Sequence, residues 1–148
     1  MLPIIDERFN DIFCSSDTVC LDIGDNYADE DGDPMPKYSF NAGGDWDFVR
    51  EGETLLSGKT LFAVHGRDGR AASFDPAVRA LIADLTGERV AEADYDPQTG
   101  NLTVLFTGGI RFRFFGTKGS FIGLYPHHGH ETILSYGEGV HYIYHDEN

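Results

Sequence analysis

Apolar residues recur along this chain with two periods, and only one stretch carries the longer one. Val78, Leu81, Ile82 and Leu85 fall at i, i+3, i+4 and i+7, a single stripe on a helix. Asp75 precedes the stripe as a capping residue whose carboxylate can accept from free amides of the first turn. Pro76 follows at the position where its missing N–H costs nothing. Gly87, free to take a positive φ, ends the pattern. The spacing predicts one amphipathic helix near 75–86.

Period two prevails elsewhere. Residues 88–95, 102–106 and 110–114 read as a three-stranded meander, with turns at 96–101 and 107–109. In its last strand Phe112 and Phe114 face one way and Arg111 and Arg113 the other, as on a sheet with one wet face. Residues 9–14 and 18–23 form a second hairpin around Ser15-Ser16-Asp17, and 37–41, 46–49 and 61–65 are further strand candidates. Each part has a hairpin followed by a strand bearing aromatics, Tyr38 and Phe40 in the first, Phe112 and Phe114 in the second. The expected fold is α+β, mainly antiparallel β-sheet. One domain spans 1–148, with two related β-meander halves, 1–56 and 57–148.

The stretch FDPAVRALIADLTGERVAEADYDPQTGNLTVLFTGGIRFRFF resembles a group of small bacterial proteins. In that group a short helix leads into Leu-x-Gly-x-x-Val and then a hairpin ending in a Phe-x-x-Gly turn. The matching residues are Leu85, Gly87, Val90, Leu102, Phe106 and Gly109, in under half of the chain. The resemblance implies an immunity-type protein of a toxin–immunity system. The chain departs from the group near its C-terminus, where a histidine-rich stretch replaces a tryptophan-bearing segment.

Charge narrows the partners. Eleven basic against 25 acidic residues give a net charge of -14, and residues 1–60 hold 14 of the acids and 4 of the bases. Phosphate backbones and anionic membranes are bound through Lys and Arg, so neither nucleic acid nor membrane is an expected partner. A basic protein is. The hydrophobic fraction of 41% suffices for a core. Cys14 and Cys20 make too thin a framework for a disulfide scaffold and read as reduced. No basic leader or apolar run of about 20 residues is visible, so a cytoplasmic protein is expected.

Two stretches invite a metal reading. The acidic loop 24–34 holds Asp25, Tyr27, Asp29, Glu30, Asp31 and Asp33. With Gly32 at position 6 of a calcium loop, Tyr27 and Tyr38 fall at positions 1 and 12, where carboxylates are required. The loop is therefore read as solvated. The second stretch is Tyr125-Pro126-His127-His128-Gly129-His130-Glu131. In an extended segment His128 and His130 point the same way and His127 opposes them. A site for Zn or another divalent transition metal would need a third ligand, from His65, His141, His145 or Glu131. No His-Glu-x-x-His, Cys-x-x-Cys, Gly-x-Ser-x-Gly or phosphate-cradle pattern occurs.

The leading expectation is an acidic module, without cofactor, that neutralises a basic toxin by occluding its active site. Asp25, Asp29, Glu30, Asp31 and Asp33 would meet the toxin's Lys and Arg, and Tyr27 and Trp46 would be buried anchors. The alternatives are a small metal-dependent enzyme built on the 127–130 cluster, or a β domain binding a small ligand.

Overall fold

The computed structural model describes residues 2–127, 132–137 and 140–143, the last four as backbone. Two antiparallel sheets face each other. The first, six-stranded, contains β1 (Phe9–Ser15), β2 (Thr18–Ile23), β5 (Tyr38–Gly43), β11 (Phe121–Pro126), β12 (Leu134–Gly137) and β13 (Val140–Ile143), in that order. The second runs β7 (Glu53–Ser57), β6 (Trp46–Arg50), β10 (Arg111–Phe114), β9 (Leu102–Phe106), β8 (Val90–Tyr95). A small hairpin of β3 (Tyr27–Ala28) and β4 (Pro34–Met35) stands apart.

Strand alternation explains why the sheets pack. Leu21, Ile23, Phe40, Ala42, Ile122, Leu124 and Leu134 point inward from the first sheet. Phe48, Leu102, Val104, Phe106, Phe112 and Phe114 answer from the second. Phe112 is the hub, its ring centroid 4.9 Å from Phe48 and 6.2 Å from Phe40 across the sheets. On the outer side of β10, Arg113 forks onto Asp47 directly opposite, at 2.8 and 2.7 Å, and lies over the Phe115 ring. That guanidinium serves the wet face of its own sheet.

Neither 1–56 nor 57–148 is a separate unit, since β5 pairs with β11 and β6 with β10. The path nonetheless repeats. The first half runs a meander β1-β2-β5 and crosses to the other sheet for β6-β7. The second runs β8-β9-β10 and crosses back for β11-β12. The two crossings are tied together where the Asp45 amide donates to the buried Ser120 Oγ, 3.0 Å.

Three helices pack against the edge strands β1 and β7: α1 (Gly58–His65), α2 (Gly69–Ser73) and α3 (Pro76–Leu85). The helix predicted near 75–86 is α3, with Val78, Leu81 and Leu85 buried and Gly87 at φ 89°. Residues 61–65, expected as a strand, lie instead in α1. Leu61 is its buried contact, and Ser57 caps it by accepting from the Thr60 amide. A β-like run of five apolar or ring-bearing residues became helical because a cap preceded it and the sheet edge β7 needed covering.

Asp75 accepts from the Ala77 amide and from His65 Nε2, each at 2.8 Å. The imidazole first, and the amide second, hold its carboxyl below the ordinary range. A depressed folded value means stability that is present above the ordinary carboxylate range and lost as pH falls through the folded value. Asp75→Ala is expected to cost about 1 kcal/mol at neutral pH. Urea unfolding at pH 7 and pH 3 should show the difference from wild type shrinking at the lower pH.

Candidate functional site

The outer face of the six-stranded sheet is a grid set by strand register. One row reads Asp11, Asp22, Ser39, Tyr125 across β1, β2, β5 and β11. The next reads Phe13, Cys20, Asn41, Gly123, and a third Ser15, Thr18, Gly43, Phe121. No described helix covers this face. Phe13, Phe121 and Tyr125 are 40%, 45% and 38% exposed, three of the five large apolar side chains left exposed among the described residues.

Two glycines shape the surface. A Cβ on Gly43 would lie 2.3 Å from Phe121, and one on Gly123 would lie 2.2 Å from the Tyr125 hydroxyl. Without those side chains both rings can lie over the glycines. Phe13 rises on one side and Phe121 with Tyr125 on the other. Between them lies an open hollow of about 640 Å³, floored by Thr18, Cys20, Ser39 and Asn41. A second hollow of about 700 Å³ lies beyond Phe121, toward β12 and the 118–120 turn.

The polar row has its own chemistry. The Ser39 hydroxyl donates to Asp22 Oδ1 at 2.5 Å, and His127 Nε2 meets the same hydroxyl oxygen at 2.7 Å. Burial pushes the Asp22 carboxyl above its ordinary range; the Ser39 bond and His127 oppose this, and Asp11 across the strand pair adds to it. The order of contacts is Asp–Ser–His, with serine in the middle. A hydrolytic triad needs histidine there, to take the serine proton and be held by the carboxylate. Here the serine proton is already committed to Asp22. The backbone amides around Ser39 serve the sheet ladder, so none is offered as an oxyanion donor. What the arrangement does is fasten His127, and with it the end of β11, to the sheet, aided by the His127 amide donating to the Lys37 carbonyl, 3.0 Å.

Because the folded Asp22 value is raised, its contribution to stability is present below the ordinary carboxylate range and lost as pH rises through the folded value. Asp22→Asn keeps an acceptor for Ser39 and removes the charge. The variant should gain on wild type in urea midpoint between pH 4 and pH 7. A constant difference across that range would refute the assignment.

Both cysteines are free and buried, Cys20 on this face and Cys14 on the opposite face of β1. Burial raises the Cys14 thiol to about 11 and the Cys20 thiol to about 12, so neither is a thiolate nucleophile at neutral pH.

The residues singled out from the sequence are dispersed. Trp46 is 1% exposed, packed edge-on against Phe48 and Phe62 in the core. Its ring is an anchor of the fold and offers no surface to a partner, which corrects the expectation placed on it. Tyr27 is half-buried in β3, and Asp25 is exposed, 4.0 Å from Arg8. The acidic stretch is a formed hairpin, where Asp29 Oδ1 accepts from the amides of Asp31 and Asp33 at 2.9 and 2.8 Å. Glu30, Asp31 and Asp33 are exposed on it. Carboxylate oxygens of Asp29, Asp31 and Asp33 come within 4.8 Å of one another, but the flanking elements are two-residue strands, not the helices of a calcium hand. His128, His130, Glu131 and His145 lie outside the described residues, as does the side chain of His141. Of the remaining histidines, His127 is bonded to Ser39 and His65 to Asp75.

Phe13, Asp22, Ser39, Phe121 and Tyr125 were not singled out from the sequence. A signal was present: Ile12-Phe13-Cys14 and Phe121-Ile122-Gly123-Leu124-Tyr125 are apolar at consecutive positions in strands that should alternate. Such runs put aromatic surface on both faces of a sheet. No described helix is long and apolar enough to cross a membrane. No protein-family model matches the chain, and neither the curated proteins nor the solved structures include a significant match to it.

Proposed function

We propose that the chain is an acidic protein-binding module that neutralises a basic toxin by covering its active site, in the manner of an immunity protein. One observation carries the reading: a sheet face that no described helix covers, with exposed aromatic rings near Asp11, on a chain of net charge -14. Exposed aromatic clusters of this kind are where association energy concentrates, because large flat rings bury much area at little entropic cost. The surrounding negative field selects a basic partner and speeds its encounter. Asp25, Asp29, Glu30, Asp31 and Asp33 extend that field from the segment that precedes β5 in the chain.

Growth rescue tests the reading. The product of the neighbouring gene, expressed alone in bacteria, should arrest growth, and co-expression of this chain should restore it. Arrest that persists while the folded chain accumulates, or a neighbour belonging to a metabolic operon, would remove the proposal.

A further inference from the structure

The face described above has features that narrow its partner beyond a basic protein. Phe13 on β1 and Tyr125 on β11 stand three strand spacings apart, roughly 14 Å at 4.8 Å per strand. That width admits one polypeptide segment with its side chains, since a helix is about 10–12 Å across. The floor between them is small and polar, so the walls hold the apolar contact.

Charge then distinguishes among occupants. Asp11 and Asp22 are directly opposite each other across β1 and β2; Asp11 is half-buried at the surface, while Asp22 is 8% exposed and bonded to Ser39. Like charges in that position destabilise a strand pair. A cation brought beside Asp11 would relieve this repulsion. A second copy of this chain would bring more carboxylates to the same place, with both copies at -14. An acidic or phosphorylated segment is excluded by the same repulsion.

Between the two basic side chains the walls favour arginine. A guanidinium is planar and weakly hydrated, stacks on aromatic faces and forks onto carboxylates. A lysine ammonium is a compact, strongly hydrated charge and gains less from flat rings. The rings of Phe121 and Tyr125 lie over Gly43 and Gly123 and keep part of their surface exposed.

We infer that the outer face of the six-stranded sheet is the docking surface for an arginine-bearing segment of a basic protein, which lies in the trough between Phe13 and the Phe121–Tyr125 pair with Asp11, two residues from Phe13 on the same face of β1, as its counter-charge. This rests on the reading of a basic protein partner, and it assigns the sheet face, not the acidic hairpin, as the seat of the bound segment.

The test uses hexa-arginine, hexa-lysine and hexa-glutamate peptides added to the isotope-labelled full chain at low salt, followed through its amide resonances. Hexa-arginine should shift the amides of Phe13, Cys20, Asn41 and Tyr125 and bind about tenfold tighter than hexa-lysine, with hexa-glutamate inert. The combined variant Phe13→Ser, Phe121→Ser, Tyr125→Ser removes only exposed rings, and should lower hexa-arginine affinity to that of hexa-lysine. Asp11→Asn, which keeps an acceptor for the Ile12 amide, should weaken hexa-arginine binding several-fold and serves if the triple variant unfolds. Equal affinity for the two basic peptides, or shifts confined to residues 25–35, would overturn the inference. Growth rescue separates the two claims. Rescue that is undiminished in the triple variant sinks the docking face and leaves the toxin reading standing. Arginine-selective binding at the face by a chain that rescues no growth does the reverse.

Discussion

Trp46→Ala is expected to lower the stability of this protein by about 3–5 kcal/mol, a large part of what a domain of this size possesses. The ring lies at the start of β6, just after the chain crosses between sheets, and is 1% exposed. Its centroid is 6.0 Å from Phe48, 6.2 Å from Phe62 in α1 and 6.4 Å from Phe112. Its loss would open a cavity where a sheet, a crossing and a helix meet, and the backbone at Gly58 cannot close it without moving α1. Trp46→Phe should be far milder. It keeps most of the contact and deletes the indole N–H, which is buried and has no hydrogen-bond partner among the described residues. Urea unfolding of the two variants checks this. A cost below about 1 kcal/mol for Trp46→Ala, at unchanged denaturant dependence, would refute the core assignment. Partner binding should follow the folded fraction in both variants, since the ring never reaches the surface.

Changing Asp29, Glu30, Asp31 and Asp33 together to Ser should slow association with the proposed basic partner by about tenfold or more at low salt. All four lie on the β3–β4 hairpin, with Glu30, Asp31 and Asp33 exposed. Their charges therefore act at a distance, before contact. The effect should fade near physiological salt, where the Debye length is about 8 Å. Dissociation should stay within about twofold of wild type, because the seat of the complex is placed on the sheet face. An unchanged association rate would sink the steering role of the hairpin. An equally large change in dissociation would move the seat of binding onto it.

Legibility varied along the chain for reasons that can be named. The helix α3 was readable because its cap, its proline, its stripe and its terminal glycine are all local features. The strands β8, β9 and β10 were readable because each buries one face and wets the other. β7 was not seen, since it is an edge strand whose pairing slips at Phe48/Val49 and whose residues Glu53 to Leu55 are largely uncovered. β11 was obscured for the opposite reason. Phe121 and Tyr125 on its open face fill the positions where polar residues would have marked the alternation. The same irregularity that hid the strand made the candidate site.

Trp46 shows the limit from the other side. A lone tryptophan in an acidic chain reads as well for an interface anchor as for a core residue, and residue type cannot choose between them. Its side is decided by the crossing from β5 to β6, which depends on pairing with β10 and β11, more than sixty residues away.

By itself the sequence determined the α+β class, the helix with its ends, most strand positions and the sign of the charge, because each arises from spacing within a few residues or from composition. Only the tertiary structure decided which faces of those strands meet water. Alternation states that a strand has two faces, while sheet order and register assign them. That assignment sent Trp46 inward, set Asp11 against Asp22, joined Ser39 to His127, and left Phe13, Phe121 and Tyr125 on one open face.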